Sequence, residues 1–109
     1  MSPKSPKLIK TLRERDVKAY CQERVKARGW EWRAVKWTGR KHAPDNLIMA
    51  PGLAVFLEFK RLKGKARAGQ LREHTRMRAS ALMVEVVDSY VLVDEILEKM
   101  AFSAIALSW

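Results

Sequence analysis

The sequence predicts an α/β domain, a mixed β-sheet with helices packed against it. Three observations carry that expectation. Val17, Cys21 and Val25 recur at helical spacing near the start of the chain, the mark of a helix with one apolar side. Two apolar, strand-like runs, 46–50 and 53–60, are separated only by Pro51 and Gly52, a strong turn signal that makes them a hairpin. Helical, strand-like and again helical patterns follow over 68–100. The order α-β-β-β-α-β-α suits helices layered on a mixed sheet.

Each element has a local reason. Residues 1–10 are a Ser-, Pro- and Lys-containing basic tail, expected to be mobile, and 11–109 form one folded domain. Thr11 and Glu14 have the spacing of a capping box, which opens a helix of about fifteen residues that Gly29 stops. Glu14 falls on the side that carries Val17, Cys21 and Val25, with Tyr20 beside them. Two compatible roles are open to it, capping the helix and facing inward toward a metal. Cys21 is the lone cysteine, so it has no internal disulfide partner and reads as a buried small hydrophobe.

Trp30 to Trp37 has the aromatic and β-branched content of a strand, with Trp30 and Trp32 on one face and Val35 and Trp37 on the other. A polar, basic loop over 38–44 follows. The run from Leu53 is apolar on both faces through Leu57, as in a central strand covered on both sides. A mobile basic loop begins at Lys63. The helix from Ala68 to about Ser80 places Leu71, Thr75 and Arg78 along one side, with His74 and Met77 beside them. Residues 81–87 read as a strand, and 91–100 as a helix with the stripe Val93, Ile96, Leu97 and Met100. The apolar tail from Ala101 to Trp109 is expected to cover the core or to meet a second subunit.

Charge narrows the function. The 109 residues hold 22 Lys and Arg against 12 Asp and Glu, a net charge of +10. Lys60, Arg61, Lys63, Lys65 and Arg67 form one basic run, continued by Arg72, Arg76 and Arg78, whereas the acids gather at Glu85, Asp88, Asp94, Glu95 and Glu98. A surface polarised in this way attracts a polyanion through phosphate contacts and counterion release. No apolar stretch reaches the roughly eighteen residues of a membrane span. The first residues lack the apolar core of a secretion signal, so a cytoplasmic protein with no membrane partner is expected.

Chemistry concentrates between Pro44 and Lys60. Twelve residues separate Asp45 from Glu58, and Glu58, Phe59 and Lys60 end the apolar run from Leu53. Glu58 and Lys60 share a strand face, roughly 7 Å apart at Cα. A short turn at Pro51-Gly52 brings Asp45 beside the Glu58 end of its neighbour. Carboxylates at the end of a buried strand are unfavourable unless paired or bound to a cation. Mg²⁺ or Mn²⁺ would accept these oxygens together with water and phosphate, and the Phe59 carbonyl is a natural third oxygen. Lys60 is then placed to stabilise charge at a phosphodiester. Taken alone, Glu-x-Lys and Pro-Asp also fit a surface ion pair and a turn. His42 in the basic loop and His74, one turn from Gln70, are candidate catalytic bases, but two histidines without a nearby cysteine pair do not make a zinc site, and no small-molecule cofactor is expected.

These residues resemble those of a stand-alone VRR-NUC domain, a branch of the PD-(D/E)xK nuclease superfamily often encoded by bacteriophages. The resemblance runs over about residues 12–98. It takes in the glutamate-bearing first helix, the basic loop into Pro44 and Asp45, the hairpin across Pro51-Gly52, the run from Val55 to Lys60, the stretch from Gly69 and Gln70 to His74, and the strand ending at Asp88. It implies a restriction-endonuclease-like α-β-β-β-α-β core. Asp45, Glu58 and the Phe59 carbonyl would bind metal, Lys60 would be the catalytic lysine, Glu14 would complete the acidic set (through water where it binds metal), and Gln70 would assist. Gly69-Gln70 stands where a Ser-x-x-Gln start is common, a departure that bears on the cap of that helix. Small members resemble Holliday-junction resolvases and tend to be homodimers, an assembly to which the tail from Phe102 to Trp109 could contribute.

The expectation is a Mg²⁺- or Mn²⁺-dependent endonuclease acting on branched DNA such as four-way junctions, in the host cytoplasm if phage-encoded. Arg40, Lys41, His42, Arg61, Lys63, Lys65 and Arg67 would contact DNA, and Trp37 is open to a stacking contact. A non-catalytic nucleic-acid-binding module and a nuclease subunit targeted by a partner protein are the competing readings.

Overall fold

The computed structural model describes residues 12–80 and 82–107. The 1–10 tail, Thr11 of the expected capping box, Ala81, Ser108 and Trp109 lie outside them. The first helix, α1, spans Glu14–Ala27. Its N-cap is Arg13, whose backbone N–H donates to the Asp16 carboxylate at 2.9 Å, so Asp16 rather than Glu14 satisfies the helix start. At the other end Gly29 takes φ +74, its N–H donating to Lys26 O and that of Trp30 to Val25 O. This is the paired closure that glycine permits at a helix C-terminus.

Strand β1 covers Glu31–Ala34, β2 Asn46–Ala50 and β3 Leu53–Phe59. Helix α2 covers Ala68–Ala79, β4 Met83–Val87 and α3 Tyr90–Leu107. The sheet order is β1-β2-β3-β4, antiparallel in its first two pairings and parallel between β3 and β4. The hairpin forms as expected, with Ala50 opposite Leu53 and Gly52 at φ +74. β1 is shorter than expected. Its last pair is Ala34 with Asn46, where β2 begins, so the ladder stops short of Trp37.

One face of the sheet carries the core. Val17, Cys21 and Val25 of α1 and Val93, Ile96, Leu97 and Met100 of α3 pack with Ile48, Val55, Leu57, Phe59 and Val87. Burial pushes the Cys21 thiol up to about 12, fitting an inert core residue. Trp32 stacks on Phe59 with ring centroids 5.6 Å apart. Acids of α3 lock α1 in place. The Tyr20 hydroxyl donates to Asp94 at 2.8 Å, and Arg28 pairs with Glu98 at 2.8 Å.

Helix α2 presents Glu73, His74 and Met77 as its buried residues. Leu71 is half exposed, so the covered side is turned away from the one Leu71 suggested. α3 continues to Leu107, well past the expected end near Met100, and the Phe102 side chain stands exposed. Among the described residues, no helix is long and apolar enough to cross a membrane.

Candidate active site

Alternation along β3 creates the site. Val55, Leu57 and Phe59 face the core, which turns Glu58 to the opposite side, where it is 8% exposed. Asn46 pairs with Leu57, so Asp45, one residue before β2, stands level with Glu58. Asp45 is exposed but not loose. Its carboxylate accepts from the Asn46 side-chain amide at 2.8 Å. Its backbone oxygen accepts from Val35 N–H at 2.9 Å, and the Pro44 oxygen from the Trp37 indole at 2.7 Å. Trp37 also packs on Phe56. With its N–H engaged and its ring packed, Trp37 braces the Pro44-Asp45 corner.

The electrostatics bind the acids into one group. Burial pushes the Glu58 carboxyl up to about 7, Lys60 pulls it down, and Asp45 and Glu14 raise it further. Glu14 is exposed, yet close enough to act on Glu58. Lys60 is half-buried just beyond β3, and its backbone N–H extends the parallel ladder by donating to Val87 O at 2.8 Å. Among the described residues no three His, Cys, Asp or Glu side chains converge tightly enough to form a ready cage for a metal ion. Mg²⁺ needs no such cage, because one or two carboxylates with water and phosphate suffice. The donor set is all oxygen, and Glu58 is a carboxyl whose ionisation is opposed mainly by burial and further by Asp45 and Glu14, a cost that a divalent cation would relieve. These residues therefore fit a hard cation.

Around the acids lie the cationic candidates. Arg40, Lys41 and His42 are exposed on the β1–β2 loop, and Arg61, Lys63, Lys65 and Arg67 on the β3–α2 loop. The second loop is tied down rather than free. Leu62 N–H donates to Leu12 O, Gly64 N–H to Arg61 O and Lys63 N–H to the Asp88 carboxylate. The first is latched onto α2. Arg40 approaches Glu73 at 3.6 Å, and His42 lies so close over Gly69 that an added Cβ would come within 2.8 Å of its ring. Gln70 caps α2, its side-chain oxygen accepting from Arg67 N–H at 2.9 Å. That bond satisfies the Arg67 N–H, the half of a capping box that a glutamine gives, while the half a leading serine would give is absent because Arg67 makes no side-chain cap.

Sequence reasoning passed over Asn46 and Glu73 and weighed His74 only as a candidate base. Asn46 steadies Asp45, Glu73 latches the loop through Arg40 and also pairs with Arg76 at 3.1 Å, and His74 is wholly buried beside Glu58. The signal for the last two was their spacing with Gln70 and Met77 on one face of α2, which Leu71 obscured.

No protein-family model matches the sequence, and no curated protein does either. Among solved structures, one described as a VRR_NUC domain is similar at 39% identity and a TM-score of 0.71, over 78% of this chain and 94% of that one. The helix and strand order agrees with a restriction-endonuclease-like core. With identity at that level across nearly the whole of the matched domain, this chain belongs to the VRR-NUC family of nuclease domains.

Proposed function

We propose that the protein is a Mg²⁺- or Mn²⁺-dependent endodeoxyribonuclease that acts on branched DNA such as four-way junctions, working as a homodimer. One observation carries the proposal: the buried Glu58 carboxyl lies within electrostatic reach of Lys60, Asp45 and Glu14, in a chain of net charge +10. Glu58, Asp45 and the Phe59 carbonyl would hold the cation, with Glu14 joining through water. Bound there, it would supply an activated water and offset charge on the scissile phosphate.

The remaining work falls to the chain's own groups. The Lys60 ammonium stabilises the negative charge that builds on the phosphate oxygens as water attacks. Arg40, Lys41, His42, Arg61, Lys63, Lys65 and Arg67 hold the flanking backbone phosphates, and the tethers of both loops reduce the ordering cost of that contact. Gln70 keeps the α2 N-terminus formed beside the phosphate path, where helix N–H groups favour anions. A dimer would present two such centres to opposing strands of a junction, through an interface that repeats itself about a two-fold axis.

The test is cleavage of a labelled four-way junction with Mn²⁺ by the wild type, Asp45→Asn, Glu58→Gln and Lys60→Ala. The wild type should cut. The carboxylate variants should fall to background, and Lys60→Ala should lose roughly 10²–10³-fold. A wild type that binds the junction as tightly as its variants and never cuts it would instead establish a binding module. Weak cutting indifferent to DNA shape would point to a subunit targeted by a partner. Sedimentation that finds only monomers at micromolar concentration, with and without DNA, would remove the dimer.

A further inference from the structure

His74 is the most anomalous side chain in the described molecule. It is 0% exposed, and neither ring nitrogen has a hydrogen-bond partner. A buried polar group left unpaired costs about 1–3 kcal/mol, and native structures rarely leave one without a reason. A phenyl ring would fill the same space without that penalty. The imidazole Nε2 lies 3.7 Å from Glu58 Oε1, and a sound hydrogen bond would need it about 1 Å nearer. A small rotation of the glutamate closes that gap.

A neutral imidazole carries one N–H, which can donate to a carboxylate while the ring stays uncharged. Its location on α2 matters as well. Glu73, the preceding residue, holds the Arg40 loop, so one turn of α2 touches both the acid on β3 and the basic loop before β2.

We propose that His74 is a positioning residue for the cation site: its Nε2–H donates to Glu58 Oε1 and thereby turns the other carboxylate oxygen outward, toward Asp45. This rests on the metal-site reading above. It explains why α2 buries a polar ring against the acid on β3. Partners of this kind fix the orientation of metal-ligating groups, and losing one typically weakens metal binding 10–100-fold.

Calorimetric titration of Mn²⁺ into the full chain, without DNA, tests it. His74→Phe should bind Mn²⁺ roughly 10–100-fold more weakly than wild type, while its junction affinity in EDTA stays unchanged. His74→Gln, whose side-chain amide can donate from nearly the same place, should recover most of the loss. Mn²⁺ affinity of His74→Phe equal to wild type overturns the proposal and leaves the metal site standing. A wild type that takes up no Mn²⁺ overturns both. If His74→Phe does not fold, nitrogen-15 spectra of the Mg²⁺-saturated wild type decide instead. A protected His74 Nε2 proton supports the proposal, and a proton in free exchange with water removes it.

Discussion

The two faces of β3 differ as much as any two regions of this protein. On one, Val55, Leu57 and Phe59 are sealed beneath α1 and α3 among apolar neighbours. On the other, one residue along, Glu58 is nearly as buried but is surrounded by Asp45, Glu14, Lys60 and His74. Equal burial therefore has opposite meaning on the two sides. Removing water stabilises the apolar face, whereas on the other face it raises the energy of a carboxylate and leaves two imidazole nitrogens unpaired. The core face holds the strand in place, and the other face buries polar groups that the apolar side has no counterpart for.

The largest expected effect is on the core face. Leu57→Ala should lower unfolding stability by about 2–5 kcal/mol, read from urea midpoints. A loss under about 1 kcal/mol would mean that this face is loosely packed. Glu58→Gln should act in the opposite direction without metal. Between pH 4.5, where an ordinary glutamate ionises, and about 7, the folded chain keeps a proton that the unfolded chain has released. The Glu58 contribution therefore falls as pH rises through that window and levels off above 7. The difference between wild type and Glu58→Gln at pH 8 should be on the order of 3 kcal/mol in favour of the variant. Parallel pH profiles for the two proteins would contradict it.

Mn²⁺ should then narrow the contrast between the faces. At a hundred times its dissociation constant it should stabilise the wild type by about 2.7 kcal/mol at pH 8, with little effect on Glu58→Gln. Equal stabilisation of both would place the cation elsewhere. The smallest effect belongs to the surface. Neutralising Lys63 and Lys65 should change stability by less than about 0.5 kcal/mol, yet reduce the salt dependence of DNA binding by about one unit for each phosphate the loop no longer neutralises. An unchanged slope would mean that the loop does not touch the backbone.

Much of this arrangement was legible along the chain. The hairpin was readable because Pro51-Gly52 interrupts two apolar runs, and a short turn leaves little freedom in register. The α1 and α3 stripes were readable because their apolar side chains repeat at helical spacing. The covered face of α2 was not. Leu71 looks like its anchor but stands half exposed, while the ionisable Glu73 and His74 are covered. A periodicity argument assigns polar residues to solvent, and a functional site is where that assumption fails. The length of β1 was hidden for another reason. Trp37 has every preference of a strand residue, but strands extend only as far as their partners, and β2 starts at Asn46.

The chain by itself determined its elements, its polarised charge and the pairing of Asp45 with Glu58 across the hairpin, because each follows from short-range spacing and backbone geometry. Only the tertiary structure decided that Trp37 braces Pro44 while packing on Phe56, and that α2 lays His74 against Glu58. Those outcomes depend on which faces meet when helices dock on the sheet. Docking is settled by burial summed over the whole core, a quantity that no local stretch of sequence contains.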